Sequence, residues 1–148
     1  MKKILVIAMF IAGFSFSADA QFKFGAGVQL LDFESFGVGA KGHYTINDQF
    51  AVQGSFHWQL EEFTSWTFDA DVHYQGFDLG DVEGFQLSPF AGLNRVQVSA
   101  FGVSVGDTNI NLGMNGTLPL SGSMSLYLEP KIILGGGSAF VIGAGVYF

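Results

Sequence analysis

The chain has no cysteine, and that absence removes several chemistries together: disulfide staples, thiolate metal sites, thiol nucleophiles and a lipid-modified cysteine behind a leader. Proline is scarce, at three residues, and charged residues make up only 13% of the chain. Beyond residue 20 no apolar run approaches the ~20 residues that a membrane-spanning helix needs. Basic residues are few as well. That argues against nucleic acid as a partner, because phosphate recognition needs a basic footprint.

What is present points outward through a secretory route. Lys2 and Lys3 precede an apolar run from Ile4 to Phe14, and Ala18-Asp19-Ala20 supplies small residues at a cleavage position. Residues 1–20 read as a removed signal peptide, leaving one domain from Gln21 to Phe148. Without Lys2, Lys3 and Asp19, four basic residues face twelve acidic ones. The 21 glycines and 17 phenylalanines disfavour helices, so an exported, apolar, aromatic and glycine-rich chain reads as strands.

The stretch Ser138 to Phe148, SAFVIGAGVYF, sets the phase. With Phe148 outward, Phe140, Ile142, Ala144 and Val146 share its face, while Ala139, Val141, Gly143, Gly145 and Tyr147 lie opposite. Seven further segments repeat this alternation. Phe22, Phe24, Ala26, Val28 and Leu30 oppose Lys23, Gly25, Gly27 and Gln29; then Phe36 to Ile46 opposes Gly37, Gly39, Lys41, His43 and Thr45. The third and fourth place Gln53, Ser55, His57 and Gln59, and Thr67, Asp69, Asp71, His73 and Gln75, on the polar side.

The fifth begins with Phe85, Leu87, Pro89 and Ala91 outward. Its phase is broken near Leu93 to Arg95, where a bulge, or Arg95 at a wet rim, is expected, with Val96, Val98 and Ala100 outward after it. Phe101 to Asp107 reads as the longest loop, on a hairpin that projects. The sixth carries Asn109, Asn111, Gly113, Asn115 and Thr117 inward, and the seventh Ser125, Tyr127, Glu129, Lys131 and Ile133. Turns fall at Asn47-Asp48, Asp78 to Glu83 and Leu120 to Ser123 on one side; Leu31 to Ser35, Glu61 to Ser65 and Gly135 to Gly137 are short links on the other.

The sign of the two faces decides the class. A soluble barrel is greasy inside and charged outside, yet here the bulky face is apolar and the charges lie opposite, so lipid is the expected solvent for the bulky face. An open edge in hydrocarbon would strand backbone polar groups, so the sheet must close. The expected fold is all-β, an eight-stranded antiparallel up-and-down transmembrane β-barrel. Two aromatic belts follow: Phe22, Phe24, Tyr44, Phe50, Tyr74, Phe85 and Phe148 near the termini, and Phe36, Trp58, Trp66 and Phe140 at the far side.

These features resemble the small outer-membrane β-barrel proteins of the OmpA and OmpX type. The leader, the alternating strands, Ser88 to Asn94 (SPFAGLN) and the terminal GAGVYF carry the resemblance across the mature chain. It implies the cell outer membrane of a Gram-negative bacterium as the location, and outer-membrane lipids as partners. It further implies delivery by periplasmic chaperones and the barrel assembly machinery, with Tyr147 and Phe148 as the assembly signal.

The inward set brings Lys23, Lys41 and Lys131 to Asp69, Asp71 and Glu129, with His43, His57 and His73 nearby. Three cations against three carboxylates in a narrow lumen imply a self-neutralising polar plug, since buried charges need partners. A gated solute path is the rival. Tyr127 and Tyr147 are placed to lean over the glycines of the first, second and last strands, which otherwise serve curvature alone. Neither a Ser-His-acid triad nor a three-histidine metal site is expected: the last three strands hold no histidine and no ligand spacing is diagnostic. The expectation is a non-enzymatic barrel without cofactor or metal, in a structural or surface-interaction role; a narrow channel and a lipid-modifying enzyme are the alternatives.

Overall fold

A computed structural model describes residues 22–60, 64–75, 77–78, 84–101 and 103–148. The leader, residues 1–20, lies outside them, as do residue 21 and most of the links expected at Glu61 to Ser65 and Asp78 to Glu83. The described residues form strands and turns with no helix. In chain order they are β1 (Phe22–Leu31), β2 (Ser35–Thr45), β3 (Phe50–Leu60), β4 (Thr64–Tyr74), β5 (Phe77–Asp78), β6 (Gln86–Ala100), β7 (Val103–Pro119), β8 (Ser125–Leu134) and β9 (Ala139–Tyr147).

Each strand pairs antiparallel with its neighbours. β1 pairs with β9 at one seam, and β4 pairs with β6 at the other, so the sheet closes on itself. The short β5 continues the line of β4 against β6, with Phe77 opposite Leu87, so the barrel has eight staves rather than nine. Closure satisfies the backbone of every stave and leaves the outward wall free to be apolar.

The period-two alternation survives as burial. Along β3, Ala51, Gln53, Ser55, His57 and Gln59 are buried, while Val52, Phe56, Trp58 and Leu60 are exposed. Along β8, Ser125, Tyr127, Glu129, Lys131 and Ile133 are buried between exposed Leu126, Leu128, Ile132 and Leu134. A polar inside within a greasy outside inverts the soluble arrangement. The aromatic belts acquire contacts: Phe50 meets Tyr74 at 5.6 Å between ring centroids near the termini, and Trp58 pairs directly with Trp66 towards the far end.

Three turns have identifiable chemistry. Asp32 and Phe33 both have positive φ (49° and 61°), and Glu34 N donates to Leu31 O at 3.0 Å, so β1 and β2 are joined by a tight turn. Phe33 is an unusual residue at positive φ. Its neighbour Asp32 is held to β9 by two bonds, each 2.7 Å: Phe140 N donates to Oδ1, and Asp32 N donates to Phe140 O. At Asn47 the side-chain Oδ1 accepts from the backbone of Gln49 and of Phe50, both at 2.9 Å, which closes the β2–β3 turn. At the β7–β8 turn Met124 N donates to Ser121 O at 3.2 Å across Gly122, whose φ is 61°.

β6 corrects two expectations. It carries no bulge near Leu93 to Arg95: its register with β4 and with β7 runs unbroken through Asn94. Arg95 therefore points outward beside Leu93, where its Nη1 donates to Thr108 Oγ1 at 3.0 Å, and Val96 and Val98 turn to the lumen side, not to lipid. A long guanidinium in the outer half of a wall can reach towards the headgroups, so one outward charge does not need a change of phase. The expected loop from Phe101 to Asp107 is also absent. β7 begins at Val103, directly opposite Ala100, so the hairpin is drawn out by pairing, with a turn at Phe101. It rises past β8, which meets β7 only from Ile110 onward, while β4 stays paired with β6 as far as Ser99.

Candidate functional site

The lumen is where the staves bury charge, and β1 to β4 and β6 to β9 aim side chains into it. Glu129 on β8 accepts from Lys41 Nζ of β2 at 2.8 Å, Gln53 Nε2 of β3 at 3.0 Å and Asn115 Nδ2 of β7 at 2.8 Å, all through Oε2. Tyr147 on β9 joins them: its hydroxyl donates to Gln53 Oε1 at 2.7 Å and accepts from Asn115 Nδ2 at 3.0 Å. Lys41 Nζ also sits 4.1 Å from the centre of the Tyr127 ring, a cation over a π face.

A second cluster centres on Asp69 of β4, which is wholly buried. Lys131 Nζ of β8 pairs with Oδ2 at 2.6 Å and Ser55 Oγ donates to the same oxygen at 3.0 Å. Asn94 and Asn111 donate to Oδ1 at 2.6 and 3.0 Å. Asn111 Nδ2 lies 3.1 Å from Asp71 Oδ1 as well and so links the two carboxylates. Gln29 Nε2 approaches Thr67 Oγ1 at 3.4 Å, tying β1 to β4 across the lumen. Two ion pairs wrapped in amides and hydroxyls satisfy the condition under which buried charges persist.

The other expected residues fall unequally. Lys23 is half-buried beside His43 and His73 near the termini, away from both ion pairs, and Asp71 has an amide rather than a cation as its described partner. The expected balance of three cations and three carboxylates is thus realised as two pairs. His73 stacks on Phe90 at 4.7 Å between ring centroids and meets His43 edge-on at 5.3 Å. His43 Nε2 is 3.2 Å from Gln75 Nε2. His57, on β3 between the strands of the other two histidines, packs over its cross-strand partner Gly39 further from the termini. Among the described residues no three His, Asp or Glu side chains gather as metal ligands do.

The amides were the harder part to foresee. Gln53, Ser55, Asn111 and Asn115 all stand on inward positions by simple alternation, yet nothing in a lone amide or hydroxyl marks it as a partner of a distant carboxylate. Asn94 was hidden behind the ambiguous phase of β6. The tyrosines, by contrast, follow expectation. Tyr147 lies over Gly25, and the Tyr127 hydroxyl fills the space a Cβ would take at Gly27 and Gly145.

On the far side of the two ion pairs from the termini lies a cavity of about 350 Å³. Towards the termini a smaller one of about 20 Å³ lies among Lys23, His43, His73 and Tyr147. The charged network stands between them.

No family model and no curated protein matches the chain. Solved structures do. The N-terminal barrel domain of Pseudomonas aeruginosa OprF superposes with a TM-score of 0.74 at 16% identity, over 86% of this chain and 95% of that one. The chain has the fold of the small outer-membrane β-barrels. Neisserial surface protein A matches at a TM-score of 0.56 and 20% identity, over 85% and 94% of the two chains. Yersinia pestis Ail in a phospholipid nanodisc gives 0.56 and 15%, over 88% and 100%. A de novo designed transmembrane β-barrel reaches 0.61 at only 10% identity, over 89% and 97%. A designed sequence arriving at the same shape indicates how strongly inside-out alternation and closure alone determine this barrel.

Proposed function

We propose that this chain is a non-enzymatic integral barrel of the bacterial outer membrane, with a structural or surface-interaction role and a closed lumen. The observation that carries the reading is the pair of buried salt bridges, Lys41 with Glu129 and Lys131 with Asp69. Amides from β3, β6 and β7 complete both across an interior that eight strands leave only just wide enough for side chains. A path for solutes would need those groups hydrated and parted. The outward wall of exposed Phe, Trp, Leu, Ile and Val supports residence in lipid. The fold shared with OprF, Neisserial surface protein A and Ail supports the outer membrane as the location; the basic and apolar start of the sequence supports export through a cleaved leader.

A surface role, if exercised, falls to the β6–β7 hairpin. Asp32 to Glu34 and Gly135 to Ser138 are short links, whereas Val103 and Val105 stand exposed on the extended hairpin. Planar-bilayer recordings test the closed lumen. The purified barrel should pass no steady current; a steady current that vanishes in Lys41→Met or Asp71→Asn would establish a channel instead. Mass analysis of outer-membrane lipids, unchanged by the protein, would speak against lipid modification.

Assembly by the outer-membrane machinery, with Tyr147 and Phe148 as its signal, belongs to the same proposal. Phe148 N donates to Phe24 O at 2.7 Å, while its ring is exposed. Deleting Phe148 should therefore cost a finished barrel only about 1 kcal/mol, the net value of one hydrogen bond. Insertion of newly exported chains should slow several-fold, read as accumulation of the heat-unmodified form in pulse-chase. Normal insertion kinetics would remove Phe148 from the signal.

A further inference from the structure

We propose that the far-side cavity is a binding site for a small, uncharged amphipathic molecule with an amide head and a short aliphatic tail. The inference rests on the closed lumen, because the ion-paired network is the floor of the site. The cavity walls are unlike the rest of the lumen. Leu31, Val96, Val98, Ile133, Ala139 and Val141 line it as an apolar collar on a face that elsewhere carries charge and amides, and Asp107 and Asn109 complete the wall. Its volume of about 350 Å³ falls at the small end of known ligand pockets. Apolar wall facing water is unfavourable in proportion to its area, so an aliphatic occupant would be stabilised there.

The floor specifies the head. Gln59 is 2% exposed, yet neither its Nε2 nor its Oε1 has a partner in the protein. Asn94 is 1% exposed; its Nδ2 is committed to Asp69 at 2.6 Å, which fixes the amide's orientation and leaves Oδ1 unmet. The site thus presents one donor and two acceptors, buried and unsatisfied, beside the cavity. An amide carries the complementary set, a carbonyl for Gln59 Nε2 and N–H groups for the two oxygens. At the floor neither an anion nor a cation finds an uncommitted counter-charge, because Lys131 is neutralised by Asp69; the other lining carboxylate, Asp107, is exposed, where solvent and salt screen it.

Hexanamide is a suitable probe, titrated into the barrel in lipid nanodiscs with the side-chain amide and methyl signals followed by NMR. Saturable shifts are expected at the Gln59 and Asn94 amides and at the methyls of Leu31, Val96, Ile133 and Val141. Hexanoate and hexylammonium should bind at least tenfold more weakly. Gln59→Leu should weaken hexanamide at least tenfold, and Ala139→Phe, which fills the cavity from another strand, should abolish binding; heat-modifiable migration verifies that each variant has folded. Linear shifts spread over the lipid-facing wall, equal binding of the charged analogues, or indifference to both substitutions would overturn the proposal. A barrel that conducts but still binds hexanamide would overturn only the closed lumen. A silent barrel that ignores hexanamide would overturn only this site.

Discussion

Replacing Glu129 by alanine should destabilise the barrel by about 3–5 kcal/mol, the usual cost of removing one partner from a buried ion pair. The carboxylate is 2% exposed, and a single oxygen accepts from Lys41, Gln53 and Asn115. Alanine would leave an ammonium and two amides unanswered in a space that neither lipid nor bulk water can reach. The loss should appear as a lower urea midpoint for unfolding from lipid vesicles and as melting of the compact gel form at a lower temperature. The double variant Lys41→Met with Glu129→Leu should recover most of that stability, because apolar side chains of similar volume remove the need for pairing. An equal loss in the double and single variants would mean that shape rather than charge holds the lumen closed.

Gly27→Ala should cost about 3 kcal/mol, at the upper end of overpacking penalties, and should lower the yield of closed barrel. A Cβ at Gly27 would overlap the Tyr127 hydroxyl, the Ala144 carbonyl oxygen and the Cα of Gly145. Tyr127 can swing aside, but the Ala144 carbonyl belongs to the β1–β9 seam and moves only if that seam opens. Gly143→Ala is the contrast, on the facing strand β9 of the same seam. Its nearest neighbours would be the Glu129 Cβ and carbonyl oxygen at 3.7 Å, an ordinary contact, so it should be neutral or gain about 0.4–1 kcal/mol from a less flexible unfolded chain. Thermal melting followed by gel migration distinguishes the two; equal behaviour would show that curvature, not close approach, explains these glycines.

The two substitutions mark the boundary between what alternation reveals and what it hides. That Glu129, Lys41 and Gly27 face inward follows from a period of two, anchored at Phe148 and repeated in every stave. In a barrel whose outside must be apolar, a one-residue slip would expose every charge to lipid. The stave count, the inside-out polarity, the aromatic belts and the tyrosines above bare glycines were legible for the same reason. The phase failed only in β6, where Leu93, Asn94, Arg95 and Val96 mix both kinds of residue. The ladder of β4 and β7 on either side carries Arg95 out and Val96 in without a bulge.

By itself, then, the sequence determined which face each side chain takes, because that depends only on its neighbours along one strand. Tertiary structure alone decided how high each side chain stands. Lys41 and Glu129 are 88 positions apart, and Lys131 and Asp69 are 62 apart. Whether they meet depends on the stagger of staves around a tilted, closed sheet. The same stagger left Lys23 near the termini away from both carboxylate clusters. It also set an apolar collar above the ion pairs, and drew the expected loop at Phe101 to Asp107 out into paired strands.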